Sequence, residues 1–261
     1  MKLIFLGTAG DAISIMKGRS AGGWILASDD TRIHVDPGPG AVHQSRLLGI
    51  NIRETTSLIA TNADLYTSHD LEPYIDAMTY SGMDNFGVVI LPKPLAEGEH
   101  RMLKNRYCMM VERIIPAVPE QRIGINDVEL KILPTSREDS FGIRFTLPEG
   151  SITYTGDTDY RPELLEHYQH SRILIINLPH FEETARHGLC VEDVKRILLS
   201  SKPKLAILTK LGGDILKNDP VFLSRKIQLE TGVPVISAKE GMIIDPAMYS
   251  NEAGQKTLRP F

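Results

Sequence analysis

The sequence predicts a layered α/β sandwich built as one domain over residues 1–261, and three observations predict it. Up to Thr155 the chain is dominated by short apolar segments separated by turn clusters, the pattern of paired strands. From Arg161 onward helical and strand patterns alternate, as in αβ units. No linker-like shift in composition separates the two stretches, and there is no repeat of solenoid length, so both belong in one mixed sandwich.

The elements follow in order. Leu3 to Leu6 is a buried strand running into the turn Gly7-Thr8-Ala9-Gly10, and Gly18, Gly22 and Gly23 extend the irregular stretch. Trp24 to Ala27 and Thr31 to Val35 pair around Asp29-Asp30. Asp36-Pro37-Gly38-Pro39-Gly40 then breaks the chain before an amphipathic segment from Ala41 to Leu48. Ser57 to Ala60 is a short strand leading into Thr61-Asn62-Ala63-Asp64, and Leu71, Tyr74, Ile75 and Met78 give 70–80 helical spacing. Phe86 to Leu91 is a strand, 95–107 an exposed helix, and 112–133 a set of short strands interrupted by Pro116 and Pro119. Gly142 to Leu147 and Ser151 to Thr155 flank the hairpin turn Pro148-Glu149-Gly150. Helices to His167, over 191–200 and over 221–231 then alternate with strands over 173–178, 205–209 and 233–237.

Composition narrows the function. With 42% hydrophobic and 24% charged residues and a net charge of -4, the chain has no basic excess for neutralising a phosphate backbone, so nucleic acid is not an expected partner. The opening apolar run is too brief for a signal-peptide core or a membrane span, which predicts a cytoplasmic protein without membrane contact. Cys108 and Cys190 form no CxxC and suggest neither a disulfide framework nor cysteine-bound zinc. Gly7 to Gly10 lacks GxGxxG and the Walker ending, and reads as a tight turn rather than a phosphate cradle.

Several short words in this order resemble the metallo-β-lactamase superfamily, in particular archaeal-type members and the ribonuclease Z/lactamase-like hydrolases. They are Gly7-Thr8-Ala9-Gly10, Val35-Asp36-Pro37-Gly38-Pro39-Gly40, Tyr74-Ile75-Asp76-Ala77-Met78-Thr79, Gly156-Asp157-Thr158, Leu189-Cys190-Val191-Glu192-Asp193-Val194, Leu208-Thr209 and Glu240-Gly241-Met242. The resemblance covers nearly the whole chain and implies a four-layer αββα sandwich.

It also implies a metal site that this sequence has lost. Active members carry HxHxDH after the strand that precedes the first site helix, two histidines for one metal and an aspartate and histidine for the other. The matching stretch reads Asn62-Ala63-Asp64-Leu65-Tyr66-Thr67, so the histidine positions are Asn62, Asp64 and Thr67, and the aspartate position is Tyr66. Later histidine positions fall on Thr135, on Gly188 beside His187, and on Lys210; only the bridging aspartate survives, as Asp157. Two carboxylates, Asp64 and Asp157, are too few donors for zinc, and a lysine would repel a dication. No metal is therefore expected, and Lys210 is expected to pair with Asp157 or Asp64 in the vacated site, with bulky Tyr66 filling part of it.

Three functions follow from that reading. The first is a metal-free, catalytically inactive member acting as a binding or scaffold subunit for a ligand, a protein partner or a multi-subunit assembly. The second is a hydrolase of a phosphodiester or other ester, whose zinc or other divalent metal sits in a rebuilt site of Asp64, His69, Asp157, His180 and His187. The third keeps catalysis without metal, with Lys210 as a base or electrostatic group and Asp157 orienting it. Asp70 and Glu72 read instead as a helix cap and dipole complement beside a solvent-facing His69. His180 and His187 bracket a surface loop, His167 and His170 end a helix, and His34 and His43 serve packing or surface roles.

Overall fold

Period-two burial builds the first sheet. In the computed structural model, which describes residues 1–99, 101–148 and 150–249, the first half runs as follows. Its elements are β1 (Lys2–Phe5), α1 (Ala12–Met16), β2 (Trp24–Ala27), β3 (Arg32–Val35), α2 (Ala41–Leu47), β4 (Ser57–Ile59), α3 (Leu65–Ser68), α4 (Leu71–Met78), β5 (Val88–Pro92), α5 (Lys93–Ala96), α6 (Asn105–Cys108) and β6 (Arg113–Ala117). Leu3, Phe5, Trp24, Leu26, Ile33 and Val35 alternate toward the interior, and the antiparallel β1–β2–β3 ladder pairs Phe5 with Trp24 and Trp24 with Val35. β4, β5 and β6 then add in parallel. Pro116 is accommodated because β6 is an edge strand, where a missing N–H breaks no ladder.

The second half contributes β7 (Arg122–Ile125), β8 (Val128–Leu133), β9 (Gly142–Leu147), β10 (Gly150–Tyr154), β11 (Ile173–Asn177), α7 (Val191–Ser201), β12 (Leu205–Thr209), α8 (Gly213–Lys217), α9 (Pro220–Thr231), β13 (Val235–Ser237) and β14 (Ile243–Ile244). β7 to β10 form an antiparallel meander, and β11, β12 and β13 continue it in parallel. β14 returns to the first sheet beside β1, giving two seven-stranded sheets ordered β14-β1-β2-β3-β4-β5-β6 and β13-β12-β11-β10-β9-β8-β7.

Three apolar clusters hold the layers. One lies between the sheets and contains Trp24, packed edge-on against Phe145 and Tyr154. One lies under α7 and α9 through Val194, Ile197, Leu198, Leu223 and Ile227. One lies under α2 and α4 through Ala41, Tyr74, Ile75 and Met78. The result is the expected αββα sandwich. No described helix is long and apolar enough to cross a membrane.

Some local expectations change. The helix expected over 95–107 is two short helices, α5 and α6, separated by a stretch that opens at Gly98 with φ +83; His100 lies outside the described residues. Residues 162–168 form a 3-10 rather than an α-helix, and Glu149 of the expected hairpin turn is outside the described residues although Leu147 and Gly150 pair as expected. Asp70 does not cap α4: its carboxylate accepts the Gly40 N–H at 3.0 Å, while Glu72 pairs with Lys104 at 3.0 Å. The capping aspartate is Asp64, which accepts the Tyr66 N–H at 2.8 Å at the start of α3.

Candidate functional site

The carboxyl ends of β4, β10, β11 and β12 point to one edge of the sandwich, where α/β folds usually place ligands. Loops after these strands, joined by the turn after β1 and by Arg137 after β8, enclose a cleft of about 370 Å³. Its lining includes Asn62, Asp64, Tyr66, Thr67, Asp157 and Lys210, together with His180 and His187. Thr135 and Gly188 are not in that lining. Thr135 spends its hydroxyl on its own loop, donating to the carbonyls of Arg137 and Ser140, and Gly188 donates its N–H to Asp159 at 2.9 Å. His69 is exposed at the end of α3 and does not line the cleft, so it does not join the other four residues of a rebuilt metal site.

Behind the cleft lies a buried polar knot. Asp36, 1% exposed, accepts the N–H of Thr61 at 2.9 Å, its hydroxyl at 3.1 Å and the Tyr154 hydroxyl at 2.5 Å, tying the first sheet to the second. Burial pushes its carboxyl up, and the Lys210 charge with the Tyr154 and Thr61 hydrogen bonds works against that rise. Lys210 is 6% exposed; burial pulls its ammonium down, and Asp36, then Asp64 and Asp157, act to hold the proton.

The expected ion pair of Lys210 with Asp157 or Asp64 is not formed. Its Nζ donates instead to the backbone carbonyl of Tyr66. The cause is local: α3 is only four residues long, its Tyr66 carbonyl has no helical partner, and the lysine supplies the missing donor. Asp157 is left to Arg137, whose Nη1 lies 3.1 Å from it while Nε and Nη2 each donate to Asp139 at 2.9 Å. Burial still raises the Asp157 carboxyl, with Arg137 and His187 opposing and Asp64 and Asp159 adding.

The backbone is shaped around this arrangement. Asp36 and Lys210 both sit in the left-handed region, at φ +56 and +50, a conformation that non-glycine residues keep only where surrounding contacts enforce it. A Cβ on Gly10 would overlap the Lys210 carbonyl, and one on Gly38 the Tyr66 carbonyl, so glycine is required at both. Leu211 N–H donates to Thr8 at 2.7 Å and fixes the turn that presents Lys210.

The loop over 179–188 is latched to the opposite side. His187 Nδ1 meets Asp159 at 2.6 Å, and His180 Nε2 meets the His187 carbonyl at 2.8 Å. Partial burial raises the Asp159 carboxyl, but the Gly188 N–H and the His187 contact outweigh it and hold it below its usual value. Asp11 and Asp214 also line the cleft as structural acceptors, Asp11 for the N–H groups of Ser14 and Gly213 at 2.8 Å and Asp214 for that of Phe181 at 3.0 Å. Sequence reasoning passed over Arg137, Asp11 and Asp214, since an arginine in a polar loop and two aspartates near helix starts carry no distinguishing spacing.

These residues do not fit a divalent metal. Asn62 turns its carboxamide oxygen to the Asp64 N–H at 2.9 Å, which leaves an N–H donor, not a lone pair, as its free end. Asp64 is engaged as a cap, Asp157 as the partner of Arg137, and the buried Lys210 places a positive charge among them. Among the described residues, no three His, Cys, Asp or Glu side chains are grouped to share an ion.

No protein-family model matches the sequence. An uncharacterized protein of Methanocaldococcus jannaschii, MJ1374, is 30% identical over 256 residues, covering 94% of this chain and 95% of that protein. Among solved structures, the metallo-β-lactamase fold protein YhfI from Bacillus subtilis superimposes with a TM-score of 0.78 at 16% identity, covering 93% of this chain and 98% of that one. Zn2+-bound PqqB from Methylobacterium extorquens gives 0.74 at 11% identity, covering 94% and 100%. Two seven-stranded sheets between helices, the shared layout with YhfI and PqqB, and the full-length match to MJ1374 lead to one conclusion: the chain has the metallo-β-lactamase fold and belongs to the family of MJ1374.

Proposed function

We propose that this protein is a metal-free member of its fold that works by binding in the cleft rather than by metal-activated hydrolysis. The reading rests on Lys210. A single buried ammonium, held by the Tyr66 carbonyl and surrounded by Asp36, Asp64 and Asp157, supplies positive charge where hydrolases of the fold use metal ions. It cannot lower the pKa of a water toward neutrality as a bound dication does, so the cleft has no activated nucleophile of that kind. PqqB, which shares the fold, was solved with Zn2+, so the fold by itself does not decide for or against a metal and the residues of the cleft carry the reading.

The direct test is turnover of bis(p-nitrophenyl) phosphate by the purified chain, with and without added zinc or manganese. The expected result is no metal-stimulated hydrolysis above the buffer rate. Stimulated turnover that disappears in Asp157→Ala would overturn the proposal.

A further inference from the structure

A second cavity, of about 330 Å³, opens at the amino ends of β11 and β12, the end of the strands opposite the cleft. Gln169, His170, Arg172, Lys202 and Lys204 line it together with two serines, and among the described residues no carboxylate does. In a chain of net charge -4 this is a local concentration of positive charge. Cations nearby are answered by carboxylates: Lys195 by Glu192 and Glu230, Arg196 by Asp193, and His167 by Glu120 and Glu166. His170, Arg172, Lys202 and Lys204 take part in no salt bridge among the described residues. The carboxyl end of α7 attracts Lys202 through its dipole, but Arg172 comes from the start of β11 and His170 from the turn before it.

The backbone holds these side chains around the cavity. His170 and Lys202 adopt left-handed φ values of +60 and +46. Glycine takes such positions without steric cost and is the common residue past a helix end, so a histidine and a lysine stand there against the backbone's preference. Gln169 Nε2 donates to the Ser200 carbonyl at 3.3 Å and to its hydroxyl at 3.1 Å, which ties the two walls together. At Gly150 a Cβ would come within 2.3 Å of Arg172 Nε, so glycine leaves room for the guanidinium, whose Nη1 is anchored on the Tyr249 carbonyl at 3.0 Å. His170, Lys202 and Lys204 are exposed, and a solute reaches them directly.

Three permanent positive charges and an imidazole around one small cavity suit an anion that carries several charges in little volume. A diphosphate group does so, whereas a single carboxylate carries one charge and citrate spreads three over a larger frame. We propose that this cavity binds a small polyanion through a diphosphate group, with Arg172, Lys202 and Lys204 neutralising its oxygens. The site is separate from the cleft and does not depend on the metal-free reading.

Isothermal titration of the full chain with inorganic pyrophosphate, inorganic phosphate and citrate tests it, with thermal unfolding measured on each variant. The expected result is saturable binding of pyrophosphate, about tenfold or more tighter than phosphate or citrate, and weakened about tenfold in Lys202→Gly and in Lys204→Gln. Lys202→Gly puts glycine at the left-handed position, so its melting temperature should equal or exceed the parent's while binding falls. Lys217→Gln, at the cleft, should leave pyrophosphate binding unchanged. No pyrophosphate binding, equal affinity for citrate, unchanged affinity in both cavity variants, or a loss in Lys217→Gln in place of Lys202→Gly would overturn the inference.

Discussion

Asp36 and Asp159 lie on the same edge of the sandwich and are held in opposite ways. Asp36 is almost wholly buried, accepts three hydrogen bonds from both sheets and has its charge answered by Lys210. Asp159 is half-buried at the mouth, and its contacts are to Ser136 and to a loop that carries exposed His187. Both carboxylates are well paired, but only the first has been taken out of water with its partners. The difference teaches where the fold depends on its polar residues: removing one member of the knot strands a buried charge, whereas removing a member of the latch returns its partner to solvent.

The sharpest break of that contrast is Asp36→Ala, expected to cost about 3–5 kcal/mol in denaturant unfolding because it leaves Lys210 and the Tyr154 and Thr61 donors unanswered. Lys210→Met is expected to cost nearly as much, and Asp36→Ala combined with Lys210→Met less than the sum of the two single changes, since both act on one network. Additive effects would show that the two residues are energetically independent.

A pH series sharpens the contrast next. His34 is fully buried beside the knot, with Nε2 on the Gly22 carbonyl at 2.7 Å and Nδ1 unpartnered. Burial, reinforced by the Lys210 charge and opposed by the Gly22 carbonyl, lowers its pKa from 6.5 to about 4. The unfolded chain then binds a proton between those values that the folded chain refuses, so stability is present above pH 6.5 and lost as pH falls toward 4. Asp36, raised by burial, contributes with the opposite sign. His34→Gln should flatten the fall between pH 6.5 and 4; an unchanged slope would place its origin elsewhere.

Smaller effects are expected at the mouth. His187→Ala removes the contact to Asp159 and should cost no more than about 1 kcal/mol. Arg186→Ala or Lys217→Ala, both exposed and without a salt bridge among the described residues, should stay within about 0.5 kcal/mol of the parent. A loss at the mouth as large as that at Asp36 would erase the distinction.

The layers and most strands were legible because alternation survives in Leu3, Phe5, Trp24 and Leu26 and because turn residues separate the segments. The helices α1, α3 and α8 were not, since four or five residues carry no period. At the site, the resemblance to the superfamily pointed to Asn62, Asp64, Tyr66, Thr67, Thr135, Asp157, Gly188 and Lys210, and all of these but Thr135 and Gly188 line the cleft. What Lys210 would touch was not legible: the resemblance implies which residues share a cleft, while its choice of the Tyr66 carbonyl depends on where α3 leaves an unpaired acceptor. Arg137 escaped for the same reason, as its hold on Asp157 and Asp139 is a product of loop geometry.

The most direct measurement is elemental analysis of the chain purified after expression with zinc, iron and manganese supplied, beside an Asp157→Ala control. A metal-free cleft predicts far less than one equivalent of any metal in both proteins. Near-stoichiometric metal in the parent, lost in Asp157→Ala, would contradict it.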